Sequence, residues 1–214
     1  MLNHFVGAGG RAIFHVTQID PASSLFKPNM DFLSQFVALP SMCETVSSYE
    51  VQTSRLDDVT EIGDCDFLKM DIQGGELDVL KGAPRLLENV IAIHCEVEFA
   101  PVYQDQPLFA NADTFLRSIG FELIDPINAI RRCRGHGASG SRLLWAEAFY
   151  FKMPHLLAKK GAQKLLKAAY IALVNHAMYD LAAHFLAEHD KVTGNASFSP
   201  YSADYAGWVD RTFS

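Results

Sequence analysis

Three carboxylates, Asp71, Glu96 and Glu98, stand in two short apolar segments, "FLKMDI" at 67–72 and "VIAIHCEVEF" at 90–99. Each segment alternates in polarity as a strand does. In the second, Ile91, Ile93, Cys95, Val97 and Phe99 take one side while His94, Glu96 and Glu98 take the other; in the first, Lys69 and Asp71 oppose Leu68, Met70 and Ile72. Side chains two apart on a strand lie about 6–7 Å from each other on one face. If the strands are neighbours, the polar residues line up as a single rail. Carboxylates so arranged suit general acid–base work. The competing reading is structural: an ion pair such as Lys69 with Glu96, or a half-solvated sheet, either of which satisfies the charges without chemistry. Position favours a site, because Asp71, Glu96 and Glu98 fall near the carboxyl ends of their strands, the edge where open α/β sheets bind ligands. His94 is an alternative base, although a lone strand histidine is more often structural.

The turn after Asp71 carries Gly74 and Gly75, where the missing Cβ lets a ligand or another backbone approach. The helix that opens there presents free N–H groups; its bland counterpart is a tight turn in which Glu76 answers the helix dipole. A second glycine cluster, "VGAGG" at 6–10, precedes the strand-like "RAIFHVT" rather than a helix. A cofactor-cradling glycine turn should open a helix, so this one is expected to be a turn between strands. The loop "RRCRGHGASGSR" is expected over the same sheet edge. There Arg131, Arg132, Arg134 and Arg142 either grip an acidic acceptor or simply line a solvated loop. His176, His184 and His189 are spaced off any common helical face and read as surface residues.

Around these groups the apolar pattern switches between periods of two and 3.6. "FLKMDI", "VIAIHCEVEF", "FELIDPI" and "LLWAEAFYFK" read as strands, and "ELDVLKGAPRLLEN" and "ADTFLRSIG" as helices, the first bent or restarted at Pro84. Strand–helix–strand–helix–strand order predicts parallel pairing and an α/β sheet. Upstream, "RAIFHVT" and "YEVQT" read as short strands and "QIDPASSLFKPNMDF" as loop. From Pro154 apolar residues recur at helix spacing through Phe185, as one long helix or two joined near Asn175, and an irregular tail follows. The expected organisation is a sheet domain over 1–152, a helical extension over 153–190 and the tail over 191–214.

A formal charge of −7 weighs against non-specific nucleic-acid binding. The four cysteines form no CxxC pair, which argues against a zinc site or a disulfide framework and for a reducing cytoplasm. No apolar run reaches membrane-spanning length, so neither membrane nor nucleic acid is expected as a partner.

"FLKMDIQGGELDVLKGA" at 67–83 resembles the hallmark of the FkbM family of methyltransferases, K-[IM]-D-[VI]-E-G-x-E-x-x-V-L-x-G-A. The likeness continues through "IHCEVEFAPVYQDQPLF", "FLRSIGFELID" and "AEAFYF", with "SSL" at 23–25 and "VQTSRLDDV" at 51–59 upstream, and covers about residues 3–152. It implies a Rossmann-like class I fold, with a mixed, mostly parallel sheet, that transfers a methyl group from S-adenosyl-L-methionine to a hydroxyl of a sugar or natural product. Lys69, Asp71, Gln73, Gly74 and Glu76 fill the hallmark, and Glu96 fills the acidic position of the next strand. Asp71 and Glu96 are the implied catalytic residues; Gln73 and Gly74 are the nearest candidates for cofactor contact. Gln73 replaces the usual Glu, and Gly75 a small residue such as Ala. The cofactor-binding first strands of such a fold have no counterpart here, so the resemblance implies an N-terminally incomplete, truncated domain that is doubtful as a cofactor binder on its own. The alternative is a non-catalytic remnant acting as an interaction module.

Overall fold

The computed structural model describes residues 3–135 and 140–198. The sequence-predicted "RAIFHVT" and "YEVQT" form the long antiparallel pair β2 (Gly10–Thr17) and β3 (Thr45–Ser54), with the short β1 (Phe5–Val6) parallel to β3. This three-stranded sheet, ordered β1-β3-β2, is separate from a second one built of β4 (Phe67–Met70), β5 (Ala92–Glu98), β6 (Phe121–Arg132) and β7 (Arg142–Lys152). The fold is thus mixed α/β with two sheets.

In the second sheet the order is β4-β5-β7-β6. β4 and β5 pair in parallel, as strand–helix–strand order requires. The next step differs from a uniformly parallel reading, because β7 inserts between β5 and β6. Its partners run from Glu147 beside His94 to Leu144 beside Phe99, so β7 runs against β5. Ala92, Ile93, His94, Cys95, Val97 and Glu98 of the flanked strand β5 are all buried. β4 forms an edge of the sheet.

Helices α3 (Glu76–Lys81) and α4 (Pro84–Asn89) follow β4. Pro84 restarts the helix at its first position, where its missing N–H costs nothing. The remaining N–H groups of that turn are answered from a distance: Asp57 accepts from Arg85 N at 2.7 Å and Leu86 N at 2.9 Å. Helix α5 (Phe109–Ser118) follows β5 and buries Ala112 and Leu116.

Two expected loops are more ordered than their sequences suggested. The stretch after β2 contains a 3-10 turn at Asp20–Ala22 and two four-residue helices, α1 (Met30–Leu33) and α2 (Leu39–Met42). One turn of helix is too short to leave a periodic signature. Leu33, Phe36 and Leu39, three apart, nonetheless pack with Cys43, Ala100, Val102, Tyr103 and Leu144 into one buried cluster. In the arginine-rich segment, Arg131 and Arg132 end β6 and Arg142 begins β7, leaving a shorter connection of which residues 136–139 lie outside the described residues.

The chain forms two compact units, Met1–Ile119 with Leu123–Tyr150, and Gly120–Glu122 with Phe151–Ser214. The second unit holds α6 (Pro154–Ala158), α7 (Ala162–His176) and α8 (Tyr179–Thr193). The break between the long helices falls at Ala177, which is left-handed at φ 49°. Within this unit Met153 N donates to Gly120 O at 3.0 Å and Phe151 lies 5.7 Å from Phe185 between ring centroids. His189 is not a surface residue: its ring is 12% exposed and sits 3.3 Å from Asp190. The side chain of His176 and most of the expected tail lie outside the described residues. No helix among the described residues is long and apolar enough to cross a membrane.

Candidate active site

The register between β4 and β5 sets Lys69 beside His94 and Met70 beside Cys95. Continued by one residue, it brings Asp71 beside Glu96. The rail foreseen from the alternation therefore forms, and Gln73 fastens it. The Gln73 amide nitrogen donates to Asp71 Oδ1 at 2.7 Å and to Glu96 Oε1 at 3.0 Å, while its Oε1 faces the Tyr103 hydroxyl at 2.9 Å. In this orientation every polar atom of the amide meets a complementary partner. An ionised carboxylate at position 73 could not donate to Asp71 and Glu96 as this amide does.

Backbone geometry makes this reach possible. Gln73 is left-handed at φ 60°, and Gly74 follows at φ 97° with Tyr103 Cδ2 and Gln106 Nε2 each 3.4 Å from the place a Cβ would occupy. Two side chains, Glu76 and Ser24, hold the turn, and Gln106 backs it. Glu76, only 3% exposed, folds back so that Oε1 accepts from Ile72 N at 2.9 Å and Oε2 from Gly74 N at 3.0 Å. Ser24 donates to Gln73 O at 2.6 Å, and Tyr103 N donates to Gln106 Oε1. Glu76 thus clamps the turn rather than merely answering a helix dipole.

Next to the turn lies a cavity of about 180 Å³. Leu33, Leu39, Met42, Cys43 and Val102 contribute apolar walls; Gln73, Glu96 and Glu98 contribute carboxyl and amide groups; Tyr103, Trp145 and Arg132 complete it. A second cleft, about 280 Å³, lies beside Asp57, Asp64, Cys65 and Arg85 at the other end of β4. It is the larger of the two, but Asp57 is spent there on capping α4. The smaller cavity holds the carboxylates at the strand ends, and we take it as the site.

Burial, then repulsion from Asp71, Glu76 and Glu147, pushes Glu96 up to about 8 against the pull of its Gln73 hydrogen bond. Glu76 is raised to about 7 by burial in spite of its backbone donors. Burial also raises Glu98 well above the usual carboxylate range, with Glu76 and Glu96 adding to the effect. Burial raises Tyr103 as well, so it stays a proton donor. Glu147 differs: its partial burial acts upward, but the hydrogen bond and charge of His94 outweigh it and hold Glu147 low.

Asp71 is exposed and outside the cavity lining, whereas Glu96 lines it. Gly74 lies in the turn, away from that lining. His94 stacks on Phe149 at 4.1 Å and meets Glu147 at 2.7 Å, which makes it a partner in a rail pair rather than a cavity residue. Lys69 is exposed, and no ion pair joins it to Glu96. Of the four arginines only Arg132 lines the cavity, its guanidinium 5.5 Å above Trp145. Arg134 donates to Gln35 and lies over Phe36, Arg131 reaches Ser141 O, and Arg142 reaches Phe99 O. Grip on an acidic acceptor by all four is therefore not the arrangement found.

Sequence reasoning missed Ser24, Tyr103 and Trp145. The first two lie inside stretches already noted as similar to the family, "SSL" and "APVYQDQ"; Trp145 carried no signal beyond a strand aromatic. A model of the FkbM methyltransferase domain matches residues 3–123. The chain belongs to the FkbM methyltransferase family. No curated protein and no solved structure matches it. The family match spans the hallmark turn, Glu96, Glu98 and Tyr103, and stops before Trp145 and Arg132 of β7 and β6. Most of the residues that line the cavity fall within the matched span, from Ile19 to Tyr103.

Proposed function

We propose that this protein acts in methyl transfer from S-adenosyl-L-methionine to a hydroxyl of a sugar or natural-product acceptor, with Glu96 as the base and Asp71 beside it. The observation that supports this most is Glu96 itself. It lines the cavity, is tied to Asp71 through Gln73, and has a proton affinity suited to exchange near neutral pH. Its role is to accept the acceptor hydroxyl's proton as the oxygen gains its new bond, while Tyr103 and Gln73 hold its position. Glu76 and Ser24 act one step removed by fixing the turn.

The donor supplies an electrophilic methyl group on a cationic sulfur. The cavity suits the acceptor better than that nucleoside, because pockets for drug-sized ligands run about 300–1,000 Å³ and this one is about 180 Å³. The other glycine cluster turns from β1 into β2 and opens no helix. The described residues therefore offer an acceptor half, with Gln73 and Gly74 as the only hallmark candidates for donor contact. We take the nucleoside half, in a Rossmann-like class I arrangement, to come from polypeptide outside them. The same reading makes residues to about 152 the methyltransferase domain and the following helices an extension, and four cysteines outside any disulfide suit the cytoplasm.

Incubation with methyl-labelled donor at millimolar concentration and a panel of sugar alcohols tests this. Label should enter the acceptor, and Glu96→Gln should lower the rate at least about a hundredfold, the usual scale for a lost base. Because Glu96 must be ionised to take a proton, the rate should rise with pH and level off above about 8. Calorimetry should show no micromolar donor binding by this chain alone; finding it would overturn the assignment of the nucleoside half. The edge strand β4 favours a second reading, an interaction module that pairs through that edge. Absence of label at any donor concentration would leave that reading standing.

A further inference from the structure

We propose that the cavity beside Trp145 takes a phenol: one aromatic ring, with its hydroxyl toward Glu96, as the acceptor. This rests on the methyl-transfer reading for the ring's fate, but not for its binding. Size sets the ring count. An apolar cavity of about 150 Å³ holds benzene, and this one measures about 180 Å³. One ring fits with room for a small substituent.

The walls favour aromatic carbon. Leu33, Leu39, Met42 and Val102 supply apolar surface, and the Met42 thioether suits a ring edge. Tyr103 and Trp145 add aromatic rings, which pair with another ring beyond simple burial. Hydrogen-bonding groups are few and mostly spent: the Tyr103 hydroxyl lies between Ala22 O and Gln73 Oε1, the Gln73 amide serves Asp71 and Glu96, and Arg132 lies over Trp145. Glu96 keeps one oxygen open. Its Oε1 accepts from Gln73, and Oε2 meets no hydrogen-bond partner among the described residues. A single hydroxyl is met by that oxygen. A sugar brings several hydroxyls, and each one buried without a partner weakens binding.

Proton affinity points the same way. A phenol, like tyrosine, holds its proton to about 10, whereas an aliphatic hydroxyl is closer to water at about 15.7. Burial holds Glu96 at about 8. As a base it falls about a hundredfold short of a phenol, and more than about a millionfold short of an alcohol that resembles water. In the transfer the phenol oxygen bonds to the methyl carbon of the sulfonium donor. The carbon–sulfur bond breaks with its electron pair left on sulfur, and the phenol proton passes to ionised Glu96.

Binding is measured apart from reaction. The whole protein is titrated at neutral pH with phenol, cyclohexanol, methyl glucoside and 4-phenylphenol, followed by calorimetry and ligand-observed NMR. Phenol should bind at least about tenfold more tightly than the glucoside or the two-ring phenol. Over cyclohexanol its advantage should be at least about threefold, the scale of an aromatic pair. Trp145→Leu should erase that smaller preference, and Glu96→Gln should keep phenol binding within about threefold. Leu39→Phe, checked for its fold by circular dichroism, fills the cavity and should remove phenol binding. No phenol binding, equal binding of the glucoside or of 4-phenylphenol, a cyclohexanol preference unchanged in Trp145→Leu, or phenol binding that survives in folded Leu39→Phe would each overturn the proposal. Phenol binding without label transfer would sink the transfer reading and leave the cavity's ligand assigned. Label entering sugar alcohols with no phenol binding would do the reverse.

Discussion

Two glycine turns in this chain look alike in sequence and behave differently in the fold. At the first, between β1 and β2, Gly9 and Gly10 both sit at φ 87°, and a Cβ on Gly10 would meet nothing within 4 Å. At the second, between β4 and α3, Gly74 is packed against Tyr103 and Gln106, and its neighbours are held by Glu76, Ser24 and Gln73. The glycines alone report only that the backbone turns left-handed. Polar ties from distant segments turn one of them into the wall of a site.

The largest break in that contrast should come from Glu76→Ala. It strands the N–H groups of Ile72 and Gly74, and two buried donors without partners should cost about 2–4 kcal/mol in denaturant unfolding. Glu76→Gln should recover only part of this, since one amide oxygen cannot replace two carboxylate oxygens. A loss under about 0.5 kcal/mol would show that the turn is not held by Glu76.

The glycines themselves offer a sharper comparison. Both Gly74→Ala and Gly10→Ala bear the cost of a left-handed L-residue, about 1–2 kcal/mol. Only Gly74→Ala also presses on Tyr103 and Gln106, so its melting temperature should fall further and its Gln73–Tyr103 contact should loosen. Equal losses would remove the distinction between the two turns.

Acidity should separate the regions as well. Glu96 is raised to about 8 in the fold and titrates near 4.3 when unfolded. Between those values unfolding releases its proton, so stability is fully present below the unfolded value and is lost as pH rises toward 8. Glu96→Gln should flatten that slope and stabilise the protein above pH 8 by about 1–2 kcal/mol, allowing for partial exposure at the cavity. Smallest of all, Gln73→Glu should keep the fold and move the Glu96 titration, read by carbon NMR, to higher pH.

Much of the carboxylate-bearing edge was legible in the order of residues. Alternation in "FLKMDI" and "VIAIHCEVEF" placed Lys69, Asp71, His94, Glu96 and Glu98 on one side, and the register between β4 and β5 then aligned them. Pro84 marked the restart of a helix, and the glycines at 6–10 were recognised as a turn leading into a strand. The short helices α1 and α2 escaped because a single turn has no period to detect.

What the amino-acid order determined by itself is local: which segments alternate, where a ring blocks a helix, which residues fill a family motif. Those properties depend on neighbours within a few positions. The tertiary structure alone decided that β7 lies between β5 and β6, that Tyr103 and Ser24 meet the hallmark turn while Trp145 lines the cavity beside it, and that one oxygen of Glu98 is left without a partner. Contacts of this kind join residues dozens of positions apart, and it is the packing of the whole unit that sets which buried groups find partners and which do not.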